Sequence, residues 1–141
     1  MSKKTALNAE LMSGFQGQKL DAHYLAYFAC FSRGDFFEAH EVLEELWLPK
    51  RRGPDGDFFK GLIQLAGAFV HVRKNRPGPA LALLGLARAN LAKYPDGHLG
   101  LDSAGATRVM DEWSAILRDP NSTKTLWPAK EPPCLQRTGV R

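Results

Sequence analysis

At 141 residues and a net charge of +4, the chain is long enough for one domain with one hydrophobic core. Its 44% apolar and 24% charged content is that of a globular protein rather than a disordered or fibrous one, and no apolar run approaches the roughly 20 residues of a membrane span. The opening "MSKKTALNAE" has lysines but no apolar h-region, so it does not read as a secretory signal. Cys30 and Cys134 suggest neither a disulfide framework nor a zinc motif, and a cytoplasmic setting is expected.

Helical periodicity is widespread, and no stretch alternates as a strand would. Residues 1–17 read as an N-terminal arm. A first helix over 18–33 contains "AHYLAYFACFSR", apolar around much of its circumference as a buried helix would be, and Gly34 stands where helices end on a left-handed residue. Asp35 then opens a second helix as its N-cap, with Glu38 placed to complete a capping box; the short connection makes these helices close neighbours. The second helix runs to Trp47, with Pro49 limiting it. After the loop "LPKRRGPDG", Asp57 caps a third helix over 58–75. "NRPGP" breaks the chain, "ALALLGLARANLAKY" forms a fourth helix, and Pro95 stops it. A loop, "DGHLGLDSAG", leads to a fifth helix over 104–118, where Ala106, Val109, Met110, Trp113, Ile116 and Leu117 form one stripe. From Asp119 the prolines argue for an extended tail, with Leu126 and Trp127 expected to dock it on the body. The fold expected is all-α: a single five-helix bundle over 18–118 with an extended tail over 119–141.

The charge is unevenly placed. Residues 35–47 carry five acids and no lysine or arginine, leaving the remainder at +9, part of it in "KRR" at 50–52 and "RKNR" at 73–76. No aromatic-interleaved basic stripe accompanies these runs, so solubility explains them better than nucleic-acid binding does. On a helical wheel, Phe36, Ala39, Val42, Leu43, Leu46 and Trp47 share one face of helix two. Glu38, Glu41 and Glu45 cluster opposite, and His40 and Glu44 lie on the boundary. Helix three is apolar nearly all round, with Gln64 and His71 aligned within about 20° on a stripe shared with Gly61 and Ala68. Small residues there let another backbone approach, so Gln64 and His71 are expected to face the carboxylate-bearing helix. Three readings follow: carboxylates and His71 hold a divalent metal that activates water, or they form a structural polar network, or the acids contact a basic partner or second subunit. "HEVLE" at 40–44 lacks the second histidine of the zinc-protease pattern. His23 and His98 have no aligned partners.

"GDFFEAHEVLEELW", followed after a basic loop by "FFKGLIQLAGAFVH" and a Gly-x-Ala helix start, resembles the domain of unknown function 309 family over about residues 24–94. The resemblance implies a small all-helical protein with metal-dependent hydrolase activity. It points to Glu38, His40, Glu41, Glu44 and Trp47 in helix two and to Gly61, Gln64 and His71 in helix three. Pro79 departs from the alanine expected at the start of helix four.

The leading expectation is a site for Zn, Mn, Fe or Ni between helices two and three. Its ligands are Glu38, Glu41, Gln64 and His71, and its catalytic groups are His40, Glu41 and Glu44. The alternative is a non-enzymatic helical adaptor that uses the same residues as a structural network. Homodimerisation through a helix face is expected; nucleic acid and membrane are not expected as partners, and no substrate class emerges.

Overall fold

The computed structural model describes residues 20–120 and 133–137. Five α-helices follow in order: α1 (Ala22–Ser32), α2 (Phe36–Lys50), α3 (Gly56–Arg73), α4 (Pro77–Leu91) and α5 (Ser103–Arg118), with a 3-10 turn at His98–Gly100 before α5. The protein is all-α, as its periodicity predicts. Among the described residues the strand-like pairing is confined to one antiparallel bridge, Leu101 with Arg137.

Local chemistry sets the helix ends. Asp21 caps α1 by accepting the His23 amide N–H at 2.7 Å. Gly34, at φ +79°, turns the chain directly into α2, and its carbonyl accepts from Arg73 Nη2 at 2.6 Å. Asp35 occupies the N-cap position of α2 but makes no capping bond; its carboxylate accepts from Arg33 Nε at 3.1 Å instead, so the expected capping box with Glu38 does not form. α2 also runs beyond Trp47 and keeps Pro49 inside its last turn. Only one ladder bond is lost there, and Arg51 Nη1 donates to the Leu48 carbonyl at 2.7 Å.

α3 begins behind Asp55, two residues before the expected Phe58, and a Cβ at Gly56 would run into the Arg51 carbonyl, so only glycine fits at its first position. Asp57, expected as the cap, lies inside the first turn and pairs with Lys93 at 2.8 Å. α4 starts at Pro77, which suits a first helical position, and ends at Leu91 rather than running to Tyr94. Tyr94 is drawn across to α3, its hydroxyl donating to the Pro54 carbonyl at 2.8 Å.

α3 is the centre of the core, with Phe58, Leu62, Leu65, Phe69 and Val72 buried along it. Tyr27 of α1 donates its hydroxyl proton to the Leu62 carbonyl at 2.7 Å. Phe31, Phe36 and Phe69 interlock, with Phe31 edge-on to both others. Trp113 of α5 meets the other side of Phe69 at 5.3 Å and 87°. Leu126 and Trp127, expected to dock the tail, lie outside the described residues; among the described tail residues Pro133 is buried and Leu135 is only 3% exposed. No helix of the described residues is long and apolar enough to cross a membrane.

Candidate functional site

The candidate residues of α2 follow from its period. Phe36, Ala39, Val42, Leu43 and Leu46 are buried, which leaves Phe37, Glu41, Glu44 and Leu48 along the outer face. His40 borders that row. Its Nδ1 lies 3.0 Å from Glu41 Oε1 and its Nε2 lies 3.9 Å from Glu44 Oε2. Phe37 stacks on the imidazole at 6.4 Å and 17°. Three predicted residues, His40, Glu41 and Glu44, are thus brought together, all on one helix. Glu38 is half-buried in the first turn, where its charge complements the positive end of the helix dipole.

On the other edge of α2, Glu45 accepts from His23 Nε2 at 3.1 Å, while His23 Nδ1 lies 2.9 Å from Asp21. Sequence reasoning gave His23 and His98 no partner. Both have one, since His98 Nε2 meets Asp55 Oδ1 at 2.7 Å. These pairs join residues 22 and 43 positions apart. No local spacing announces such contacts.

The stripe of α3 faces a different helix from the one expected. A Cβ on Gly61 would come within 2.9 Å of Leu91 Cγ and 3.2 Å of Asn90 Cβ, so it is α4 that approaches here. Gln64 belongs to this contact, its Oε1 accepting from Asn90 Nδ2 at 2.8 Å. Asn90 Oδ1 accepts in turn from Lys93 Nζ at 3.2 Å, and Lys93 holds Asp57. The hydrogen bond from Lys93 keeps the Asp57 carboxyl below its usual range. Gln64 is therefore part of an α3–α4 chain of polar groups, away from the α2 carboxylates.

α2 comes near this surface at Gly67, where a Cβ would lie 3.9 Å from His40 Cδ2 and 3.4 Å from Leu83 Cδ1 of α4. His71, one turn further along α3, is half-buried, and its Nδ1 has no hydrogen-bond partner among the described residues. The same holds for Nε1 of Trp47. Buried polar atoms are almost always satisfied by protein, water or ion.

Residues 24–83 match the model of a family described as a domain of unknown function (DUF309). This stretch of the chain is similar to that family. It spans α1 from Tyr24, all of α2 and α3, and α4 as far as Leu83, and so contains every candidate residue above. The chain is also similar to an uncharacterized protein of Aquifex aeolicus (strain VF5), 28% identical over 79 residues, which are 56% of this chain and 24% of the relative. The match therefore spans about a quarter of the curated relative's length. No solved structure matches the chain.

Structural and catalytic metal sites need three or more converging protein donors. No group of three or more His, Cys, Asp or Glu side chains among the described residues is arranged to hold one. Glu41 and Glu44 lie on the two sides of His40, Gln64 is committed to Asn90, and His71 enters from α3 alone. Burial pushes the Cys30 thiol pKa up.

Proposed function

We propose that the protein is a non-catalytic helical interaction module whose Glu, His and Gln residues hold helices in register. The observation that carries this reading is the separation of those residues into distinct groups: His40 with Glu41 and Glu44, His23 with Asp21 and Glu45, and Gln64 with Asn90, Lys93 and Asp57. Each group ties a helix internally or to a neighbour, and a satisfied polar pair rigidifies a packed interface. The exposed apolar groups at the two ends of the α2 row, Phe37 at 52% and Leu48 at 45%, flank Glu41 and Glu44 and suit an apolar, basic partner surface or a second copy. A cytoplasmic setting accords with two free cysteines.

The competing reading is metal-dependent hydrolysis at Glu38, Glu41, Gln64 and His71. It is favoured by one observation, the buried and unpartnered Nδ1 of His71. Elemental analysis separates the two. Wild-type protein dialysed against Zn, Mn, Fe and Ni is compared with the Glu41→Gln/His71→Ala double variant. The module reading expects no stoichiometric metal in either, and a coupling of about 0.5–1.5 kcal/mol between Gln64→Ala and Asn90→Ala in a double-mutant cycle. Near-stoichiometric metal in the wild type and none in the variant would sink it.

A further inference from the structure

Residues 133–137 lie on the bundle as a bound peptide lies on a receptor. Burial alternates along them: Pro133 and Leu135 are buried and Arg137 is half-buried, while Cys134 and Gln136 are exposed. This is the two-residue period of an extended strand resting on a surface. The backbone is read as well, since the Asp102 N–H donates to the Gln136 carbonyl at 2.9 Å and Leu101 bridges to Arg137. The Arg137 guanidinium sits 5.6 Å over the Phe28 ring of α1.

The receiving edge is built without the tail. Leu101 follows the 3-10 turn, in which Gly97, Leu99 and Gly100 all take positive φ. That turn is pinned from the bundle by His98 on Asp55 and by the Tyr24 hydroxyl donating to the Leu99 carbonyl at 3.1 Å. A non-glycine residue at φ +49° persists only where its surroundings hold it. The edge is therefore preorganised. Beside the strap a cavity of about 480 Å³ stays open over Leu25, Phe28 and Ala29 of α1, so residues 133–137 do not fill the groove.

We propose that the groove between α1 and residues 101–102 recognises an extended segment of a partner protein, with apolar, leucine and arginine side chains at alternate positions, and that residues 133–137 occupy it in cis as an exchangeable plug. Recognition is by strand addition, main-chain bonds giving attachment and alternate side chains giving selectivity. Two apolar anchors, a short backbone pairing and one cation–π contact hold a strap well only while it is tethered. A partner segment with a larger side chain directed into the cavity gains contacts that Leu135 leaves unmade. The α2 residues take no part, so this site stands or falls independently of the metal question.

The test is titration of a labelled peptide with the sequence of residues 131–141 into full-length wild type and into Leu135→Asp, whose own strap is released. Leu135→Asp is expected to bind the peptide about tenfold or more tightly than wild type does, and not to bind a control peptide with aspartate in place of its leucine. A cooperatively folded Leu135→Asp that binds neither peptide, or both equally, overturns the proposal. If that variant fails to fold, hydrogen exchange of wild type decides: an Asp102 amide exchanging faster than those of α3 supports exchange of the plug, and one as slow as the slowest core amides refutes it. A concentration-dependent wild-type dimer abolished by Leu135→Asp would assign the groove to the tail of a second copy and overturn the partner reading.

Discussion

Tyr24 and Tyr27 show how much a single side chain on α1 is asked to do. Each presents an aromatic body to the core and a hydroxyl to a backbone carbonyl, Leu99 for Tyr24 and Leu62 for Tyr27. Burial raises both phenol pKa values well above the ordinary value of about 10. The fold thus favours the protonated phenols. Their contribution to stability is complete below pH 10 and is lost as the pH rises toward the folded-state values. In an alkaline titration, tyrosinate absorbance from these two residues is expected only together with loss of helical circular dichroism. Ionisation of both in a chain that keeps its helices would contradict this placement. Nothing in "AHYLAYF" says which of its aromatic residues reaches which carbonyl, because the acceptors come from residues 62 and 99.

At the scale of the helix, capping separates aspartates that look alike in the sequence. Asp102 accepts the Gly105 N–H at 3.0 Å at the start of α5, whereas Asp35, in the same position before α2, is held by Arg33 and caps nothing. Asp102→Ala is expected to cost about 0.5–2 kcal/mol in urea unfolding, while Asp35→Ala changes stability by no more than a few tenths. Equal losses would mean that Asp35 caps α2 in solution. The helices themselves were legible in the 3.6-residue period, to within about four residues at each end. The misplaced boundaries have physical causes: Gly56 is forced by the Arg51 carbonyl, Pro49 is tolerated in a last turn, and Tyr94 is drawn to Pro54. Each depends on a group outside the helix concerned.

Across the whole molecule, α5 is held chiefly by its apolar stripe. Ala106, Met110, Trp113 and Leu117 are buried, and the indole packs edge-on against Phe69 at the heart of α3. The Arg88–Asp111 pair at 2.8 Å also joins α4 to α5, and its hydrogen bond keeps the Asp111 carboxyl low, but both groups are solvated and screened. Trp113→Ala is therefore expected to cost about 3–5 kcal/mol in chemical unfolding, whereas Arg88→Gln leaves the midpoint nearly unchanged. The reverse order would place the attachment of α5 in its charges.

By itself the sequence determined the helices, their order, the buried rows of α2 and α5, and the outward placement of Glu41 and Glu45, because all of these follow from a local period and the preference of apolar groups for burial. It also carried the strings that resemble the DUF309 family. Only the tertiary structure decided which helix each face meets. Gly61 and Gln64 share one stripe on any wheel, but the period is silent about the neighbour, and packing turned both to α4 and gave Gln64 to Asn90. The same limit hid the partners of His23 and His98 and the docking of Leu135. Such contacts join residues far apart in the chain, and close packing settles them only once every helix has found its place.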